Sequence, residues 1–113
     1  MPAKEWPAFD GEGVAVKLNN TVTVYRYWSQ AGREIGRWAT VYSNLSPAEA
    51  RALLALPDEN LATHVTEFVI QKDAVVIVGK TASQTMAPWA GPYAVGGGIQ
   101  IYIPDPSVLL KFP

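Results

Sequence analysis

Short β-type segments bounded by glycine or proline set the strongest limit on how this chain can fold. The segment TVTVYRYW (21–28) alternates, with Val22, Val24 and Arg26 on one face and the tyrosines on the other. Segments of the same kind cover 37–43, 63–70, 74–79 and 99–103, and a last apolar run covers 107–112. The pattern predicts a small, twisted, mostly antiparallel sheet of about five to six strands.

One helix signal lies among the strand segments. Ser46-Pro47-Ala48-Glu49 is a capping box with proline at the first helical position, and the helix that it starts ends by Pro57. Residues 1–20 contain several prolines and glycines and are predicted to form an irregular N-terminal arm. The predicted fold class is therefore α+β. Residues 1–113 are of the usual size for a single domain, and we expect one or two short helices in it.

Composition excludes several functions. Nine basic and ten acidic residues give a net charge of −1, which is no electrostatic footprint for nucleic acid. With no cysteine and one histidine, a zinc site is not expected. No apolar run approaches the ~20 residues of a membrane helix, and no signal segment opens the chain. We therefore expect a soluble domain whose export depends on parts outside this sequence.

Arginine and aromatic residues are the first candidates for a binding site. Arg26 lies mid-strand on an apolar face, so its guanidinium needs an anionic partner, either a ligand or an internal carboxylate such as Glu67. Arg33 and Arg37 flank a Gly36 turn that Trp38 follows, which suits a phosphate beside a stacked heterocycle. The alternative is two solvated arginines and a core tryptophan.

Two further polar residues stand alone. Arg51 lies one turn into the helix among alanines, where arginines are usually solvated. His64 opens a strand with no second histidine or cysteine available to form a catalytic pair. From the residues alone, each is either structural or part of a site.

Three consecutive glycines, Gly96, Gly97 and Gly98, lead directly into the strand IQIYI. Glycines here let the backbone approach a ligand, and their N–H groups could hold phosphate oxygens. No helix follows them and the spacing is not that of a dinucleotide fingerprint, so a plain flexible loop is the alternative. Gln100 faces opposite to Ile99 and Ile101, where its amide would suit a sugar hydroxyl or a positioned water.

Five short motifs follow one another in a distinctive order. They are GREIGRWAT (32–40), ARALLALP (50–57), THVTEF (63–68), APWAGP (87–92) and GGGIQIY (96–102). This order resembles the NAD-glycohydrolase toxin domain of the tuberculosis necrotizing toxin family. That family shows an arginine, a G-R-Y element, an arginine before A-L-P, a Y-H-V-Y strand, an A-P-W-F-G loop and a G-G-G-T-Q-Y ending.

The resemblance implies roles for individual residues. Arg33 matches the first family arginine, and Trp38 stands in place of a tyrosine. Gln100, Arg51 and His64 match the catalytic glutamine, the arginine before A-L-P and the strand histidine. A remote relation to ADP-ribosyltransferases, through YRYW, makes Arg26 the alternative to Arg33 at the pyrophosphate.

The implied reaction is hydrolysis of NAD to nicotinamide and ADP-ribose. Nicotinamide would stack on Trp38 or Trp89 and leave as a neutral molecule, so no general acid, metal or cofactor is required. ADP-ribosyltransferases place a glutamate where this chain has Gln100, which favours water over a protein acceptor. The resemblance also implies delivery as part of a larger toxin, action in the target-cell cytoplasm and a cognate immunity protein.

Other functions remain open at this point. The same architecture suits an ADP-ribosyltransferase or a small RNase toxin, in which His64 and arginines would cleave RNA. A non-enzymatic binding module is the third alternative, with Trp28, Tyr93 and Tyr102 as its contact surface.

Overall fold

The computed structural model describes residues 8–29, 34 and 36–111. Strands make up most of this part of the chain, and their pairing is antiparallel throughout. In chain order the elements are β1 (Phe9–Lys17), β2 (Val22–Trp28), β3 (Trp38–Ala39), α1 (Pro47–Leu53), β4 (His64–Ile70), β5 (Val75–Thr81), β6 (Ile99–Tyr102), a 3-10 helix (Pro106–Val108) and β7 (Leu109–Lys111). The predicted α+β class is confirmed.

The strands form two sheets where the sequence suggested one. One sheet has the order β1-β5-β6-β3 and the other has the order β2-β4-β7. A single bridge joins them: Tyr25 and Thr40 exchange backbone hydrogen bonds of 2.8 and 2.9 Å. The second predicted strand, 37–43, is therefore short, because β3 stops at Ala39 and Thr40 turns to pair with the other sheet.

The N-terminal segment corrects the prediction of an irregular arm over 1–20. Residues 9–17 form β1, which pairs with β5 along its length. The alternation expected of a strand is not visible in the sequence, because the pairing register shifts between Asp10 and Val14. Gly11 lies within this shift and has φ of +83°. Gly13 serves close packing, because a Cβ there would lie 2.5 Å from the Ile77 side chain. The part of the predicted arm before residue 8 lies outside the described residues.

Helix α1 begins as its capping box predicts. The Ser46 hydroxyl accepts from the Glu49 N–H at 3.2 Å, and the Glu49 carboxylate accepts from the Ser46 N–H at 2.9 Å. The helix is buried at Ala50, and the segment after it packs on Tyr27 through Leu54 and Leu56. No helix among the described residues has the length and apolar character needed to cross a bilayer.

The main core lies where the two sheets face each other. Its buried side chains come from both sheets and include Val24, Phe68, Ile70, Val76, Ile101 and Ile103. The opposite face of the four-stranded sheet carries a smaller cluster of Phe9, Ile77 and Tyr102, against which Trp38 packs. Because side chains alternate along β6, Ile101 enters the core while Gln100 and Tyr102 point to the other face.

Candidate functional site

A cavity of about 490 Å³ lies between the Tyr25–Thr40 bridge, which joins the two sheets, and the segment that follows α1. Its walls come from distant parts of the chain: strands β2, β3, β5 and β6, the segment after the helix, and the loop before the glycines. This volume lies in the range of small-molecule sites. Four residues singled out from the sequence line it, namely Arg26, Trp38, Trp89 and Gln100.

Gln100 is fixed in one orientation at the base of this cavity. Its side chain is buried, with the residue 6% exposed, and Nε2 donates to the Ala8 carbonyl at 2.7 Å. A carbonyl only accepts, so the amide cannot flip without losing this bond. The oxygen Oε1 is therefore the end of the amide left for a ligand. Gly79, the partner of Gln100 on β5, leaves room for the Phe9 ring, because a Cβ there would lie 2.7 Å from that ring.

Arg26 supplies the positive charge of the cavity. Its Nε donates to the Glu34 carbonyl at 2.9 Å, and a terminal nitrogen donates to the Trp38 carbonyl. Gly36 allows this packing, because a Cβ there would lie 2.6 Å from the guanidinium. Burial lowers the pKa of Arg26, although an arginine stays cationic at neutral pH.

Glu67 is not the partner of Arg26 that the sequence suggested. In the β2–β4 register Glu67 lies opposite Tyr25, and Thr66 lies opposite Arg26. Loss of water contact and then the Glu67 carboxylate raise the pKa of the Tyr25 hydroxyl. Successive residues of a strand face opposite ways, so the carboxylate and the guanidinium lie on different faces of the sheet.

The two tryptophans form different parts of the wall. Trp38 is half-buried, with its ring centroid 5.4 Å from that of Phe9 and 4.8 Å from that of Tyr102. Trp89 is 46% exposed, and its carbonyl accepts from the Asp58 N–H at 2.8 Å. Trp38 is therefore a fixed surface of the cavity, whereas Trp89 lies at its solvent side.

The glycines have a different role from the predicted phosphate cradle. The N–H groups of Gly96, Gly97 and Gly98 donate to the carbonyls of Ala52, Thr81 and Leu53 at 2.9, 2.8 and 3.0 Å. All three donors are thus used within the chain, and none of the glycines lines the cavity. Through these hydrogen bonds the glycine loop instead holds the C-terminal end of α1 against the end of β5.

Arg51 also lies outside the cavity lining. Its guanidinium carbon lies 4.4 Å from the centre of the Tyr93 ring, and a terminal nitrogen is 3.7 Å from the Asp58 carboxylate. The Tyr93 hydroxyl donates to the carbonyl of Leu56, a residue of the wall, at 2.5 Å. Arg51 therefore holds together the elements that carry the wall and does not itself face the cavity.

His64 and Arg33 are not brought to the site by the described structure. His64 is exposed at the start of β4, where its ring centroid lies 4.5 Å from that of Trp28. It does not line the cavity. Arg33 lies outside the described residues.

Sequence reasoning missed three polar groups of the cavity. Asn60 is buried and braces the wall, with Nδ2 donating to the Tyr27 carbonyl at 3.1 Å and Oδ1 accepting from the Ala62 N–H at 3.0 Å. Thr81 and Gln84 also line the cavity. The available signal was alternation: β5 continues two residues past the predicted end at 79, which places Thr81 on the same face as Gly79.

The lining chemistry is neutral apart from Arg26. Among the described lining residues there is no aspartate, glutamate or histidine. The described part of the chain also contains no group of three metal-ligating side chains. Such a cavity can hold an anionic group at Arg26, stack a flat ring on an indole and hydrogen-bond a sugar through amide and hydroxyl groups.

Solved structures that share this fold include two protein complexes. The structure of Tne2 in complex with Tni2 matches with a TM-score of 0.71 and 16% identity, covering 93% of this chain and 92% of that one. The structure of Tse6 in complex with Tsi6 matches with a TM-score of 0.67 and 15% identity, covering 100% of this chain and 84% of that one. No protein-family model and no curated protein matches the sequence.

Proposed function

We propose that this chain is an NAD glycohydrolase toxin domain that hydrolyses NAD to nicotinamide and ADP-ribose. The observation that carries the proposal is the meeting of Arg26, Trp38, Trp89 and Gln100 around one cavity, although they are spread over residues 26–100. These residues match the chemistry of NAD: a pyrophosphate, a flat nicotinamide and a ribose. The resemblance of the motifs to necrotizing toxin domains supports the same assignment.

The cavity would act mainly by orientation and by excluding water. Arg26 is the cationic side chain of the cavity lining, and its guanidinium would bind the pyrophosphate. Nicotinamide would stack on Trp38 or Trp89, and Gln100 Oε1 would accept from a ribose hydroxyl or from the attacking water. The glycosidic bond breaks as charge develops on the ribose, and a fixed amide dipole stabilises that charge without reorganising. Nicotinamide leaves as a neutral molecule, so the reaction does not require a carboxylic acid in the lining.

The rival activities fit the cavity less well. An ADP-ribosyltransferase would orient its acceptor with a carboxylate, and the described lining has none. An RNase would use His64 for proton transfer, but His64 is exposed and lies outside the cavity. Hydrolysis is therefore the activity that this set of side chains favours.

A protein partner is part of the proposal. The two solved structures described above each contain a second protein, Tni2 or Tsi6. A toxin that hydrolyses NAD would harm the cell that makes it, so we infer a cognate immunity protein for this chain. The domain would be delivered as part of a larger toxin and act in the cytoplasm of the target cell.

Purified protein incubated with NAD tests the proposal. We expect release of nicotinamide and ADP-ribose in equal amounts, measured by chromatography, without added metal or acceptor protein. Gln100→Ala should lower kcat roughly 10²–10³-fold with a smaller change in KM, because its contact strengthens in the transition state. Gln71→Ala is the matched control, since Gln71 is exposed in the turn between β4 and β5. Intact NAD after prolonged incubation, or equal activity of the two variants, would rule out the proposed site.

A further inference from the structure

Thr81 carries a buried hydroxyl that nothing in the described structure satisfies. The residue is 3% exposed at the end of β5, and its Oγ1 has no hydrogen-bond partner among the described residues. Arg51 Nε is the other such atom in this part of the chain, and of the two residues only Thr81 lines the cavity. A buried polar group without a partner lowers stability, so its presence beside a binding cavity points to a ligand.

The position of Thr81 relative to Gln100 follows from the strand register. Gly79 pairs with Gln100, and the Thr81 N–H donates to the Gly98 carbonyl at 2.8 Å. Thr81 and Gln100 therefore lie on the same face of adjacent strands as diagonal neighbours, which are typically about 7–8 Å apart with their Cβ atoms somewhat closer. Two neighbouring hydroxyl groups of one ligand can span such a gap.

The two side chains are complementary in hydrogen bonding. Gln100 Nε2 is held by the Ala8 carbonyl, so Oε1 can only accept from a ligand. The Thr81 hydroxyl can donate, and because Thr81 lines the cavity, a rotation between staggered positions about its Cα–Cβ bond would bring the hydroxyl to a bound ligand. A vicinal diol matches this arrangement, with one hydroxyl donating to Gln100 and its neighbour accepting from Thr81.

We propose that Thr81 Oγ1 and Gln100 Oε1 together bind the diol of the ribose that carries nicotinamide. This inference rests on the proposed NAD glycohydrolase function and adds Thr81 as a residue that recognises the sugar. Adenosine and pyrophosphate would be bound elsewhere in the site. Thr81 therefore contributes to ligands that contain the distal ribose and not to ligands that lack it.

Binding of ADP-ribose and of ADP separates this role from a structural one, because both ligands contain the adenosine and the pyrophosphate and only ADP-ribose contains the distal ribose. Dissociation constants are measured by titration followed by NMR for the wild type, Thr81→Val and Thr81→Ser. We expect Thr81→Val to weaken ADP-ribose binding about 10-fold, the effect of one lost hydrogen bond, and to leave ADP binding unchanged. Thr81→Ser keeps the hydroxyl and should bind ADP-ribose within about 3-fold of the wild type.

Thermal melts of the same proteins give an independent readout. Thr81→Val should melt at or above the wild-type temperature, because it removes a polar atom that has no partner in the described structure. Thr23→Val is the matched control, since Thr23 is exposed on β2 outside the cavity and should change neither ligand's affinity.

The outcomes for Thr81 and for the enzyme are distinct. Equal weakening of ADP-ribose and ADP by Thr81→Val, no weakening, or no binding of ADP-ribose to the wild type would overturn the role of Thr81. Wild-type protein that binds ADP-ribose through Thr81 but leaves NAD intact would refute the proposed hydrolysis and retain the ribose site.

Discussion

Replacing Gln100 by glutamate exchanges the amide nitrogen Nε2 for a carboxylate oxygen. That position needs a hydrogen-bond donor, because it faces the Ala8 carbonyl. In the wild type Nε2 donates to the Ala8 carbonyl at 2.7 Å, and the residue is 6% exposed. An ionised carboxylate in the same position would direct one of its oxygens at another acceptor with little water nearby. We therefore expect the carboxyl introduced by Gln100→Glu to have a higher pKa in the folded protein than in the unfolded chain, because only its protonated form can donate to the Ala8 carbonyl.

The size of the effect follows from linkage. A glutamate has a pKa of about 4.3 in the unfolded chain, and raising it by about two units in the folded state costs about 3 kcal/mol at pH 7. The folded protein then holds a proton that the unfolded chain has released, so its stability falls as the pH rises from about 4 to about 7. Below about pH 4 both states are protonated, the bond to Ala8 is restored, and the difference from the wild type closes.

Urea unfolding at pH 7 and near pH 4 measures this difference, with Gln100→Ala as the control. The Ala8 carbonyl also accepts from the Ala82 N–H at 2.8 Å, so Gln100→Ala leaves it satisfied. That variant should lose about 1 kcal/mol relative to the wild type, with no dependence on pH. A difference for Gln100→Glu that stays constant over this range would mean that the carboxylate turns towards Arg26, and the fixed orientation of residue 100 would be refuted.

The remaining predictions concern the glycine loop and the helix. Gly96→Ala should destabilise the fold by about 3 kcal/mol, because Gly96 has φ of +73° and a Cβ would lie 2.6 Å from the Thr81 carbonyl. Gly97→Ala should lose only about 1 kcal/mol, since its φ is +93° but nothing lies within 4 Å of the added carbon; equal losses in urea unfolding would contradict the packing argument. Ser46→Ala should lose about 1 kcal/mol through the capping box without changing KM for NAD, and a large change in KM would show that the cap also shapes the cavity.

Local signals in the sequence were sufficient for much of the fold. Alternation located β2 and β6, and short β-type runs bounded by turn residues located β4 and β5. The capping box located the start of α1, because its two hydrogen bonds depend on residues only three positions apart. β1 was missed because Gly11 and Gly13 interrupt its alternation, Gly11 through its positive φ and Gly13 through packing on Ile77 of β5, and no local pattern reports either cause.

The candidate site was predictable only in part, since a cavity depends on register between distant strands. Arg26, Trp38 and Gln100 were found from residue type and position, Trp89 was added by the resemblance, and the structure brings all four together. Alternation along β5 could have placed Thr81 on the face of Gly79, but its importance comes from a buried hydroxyl without a partner in the described structure, which the sequence does not report.

Arg51 and His64 show the limit of transferring roles from a resemblance. Both occupy the expected places in the chain, but a side chain's direction depends on contacts that the motif does not contain. Arg51 lies over Tyr93 beside Asp58, and His64 stacks on Trp28 at the surface. A motif match therefore predicts where a residue stands in the sequence better than what its side chain faces.

The glycine loop influences the cavity without lining it. Gly96 and Gly98 donate to the carbonyls of Ala52 and Leu53, which lie at the end of α1, and Gly97 donates to the carbonyl of Thr81. The same three hydrogen bonds therefore fix two elements of the cavity. One is the wall segment that follows α1, and the other is the end of β5, which carries Thr81. Side chains at Gly96 or Gly98 would lie within 3 Å of these carbonyls and separate the two elements. The glycines allow this close approach, and Gln100 follows them at the position where β6 enters the cavity.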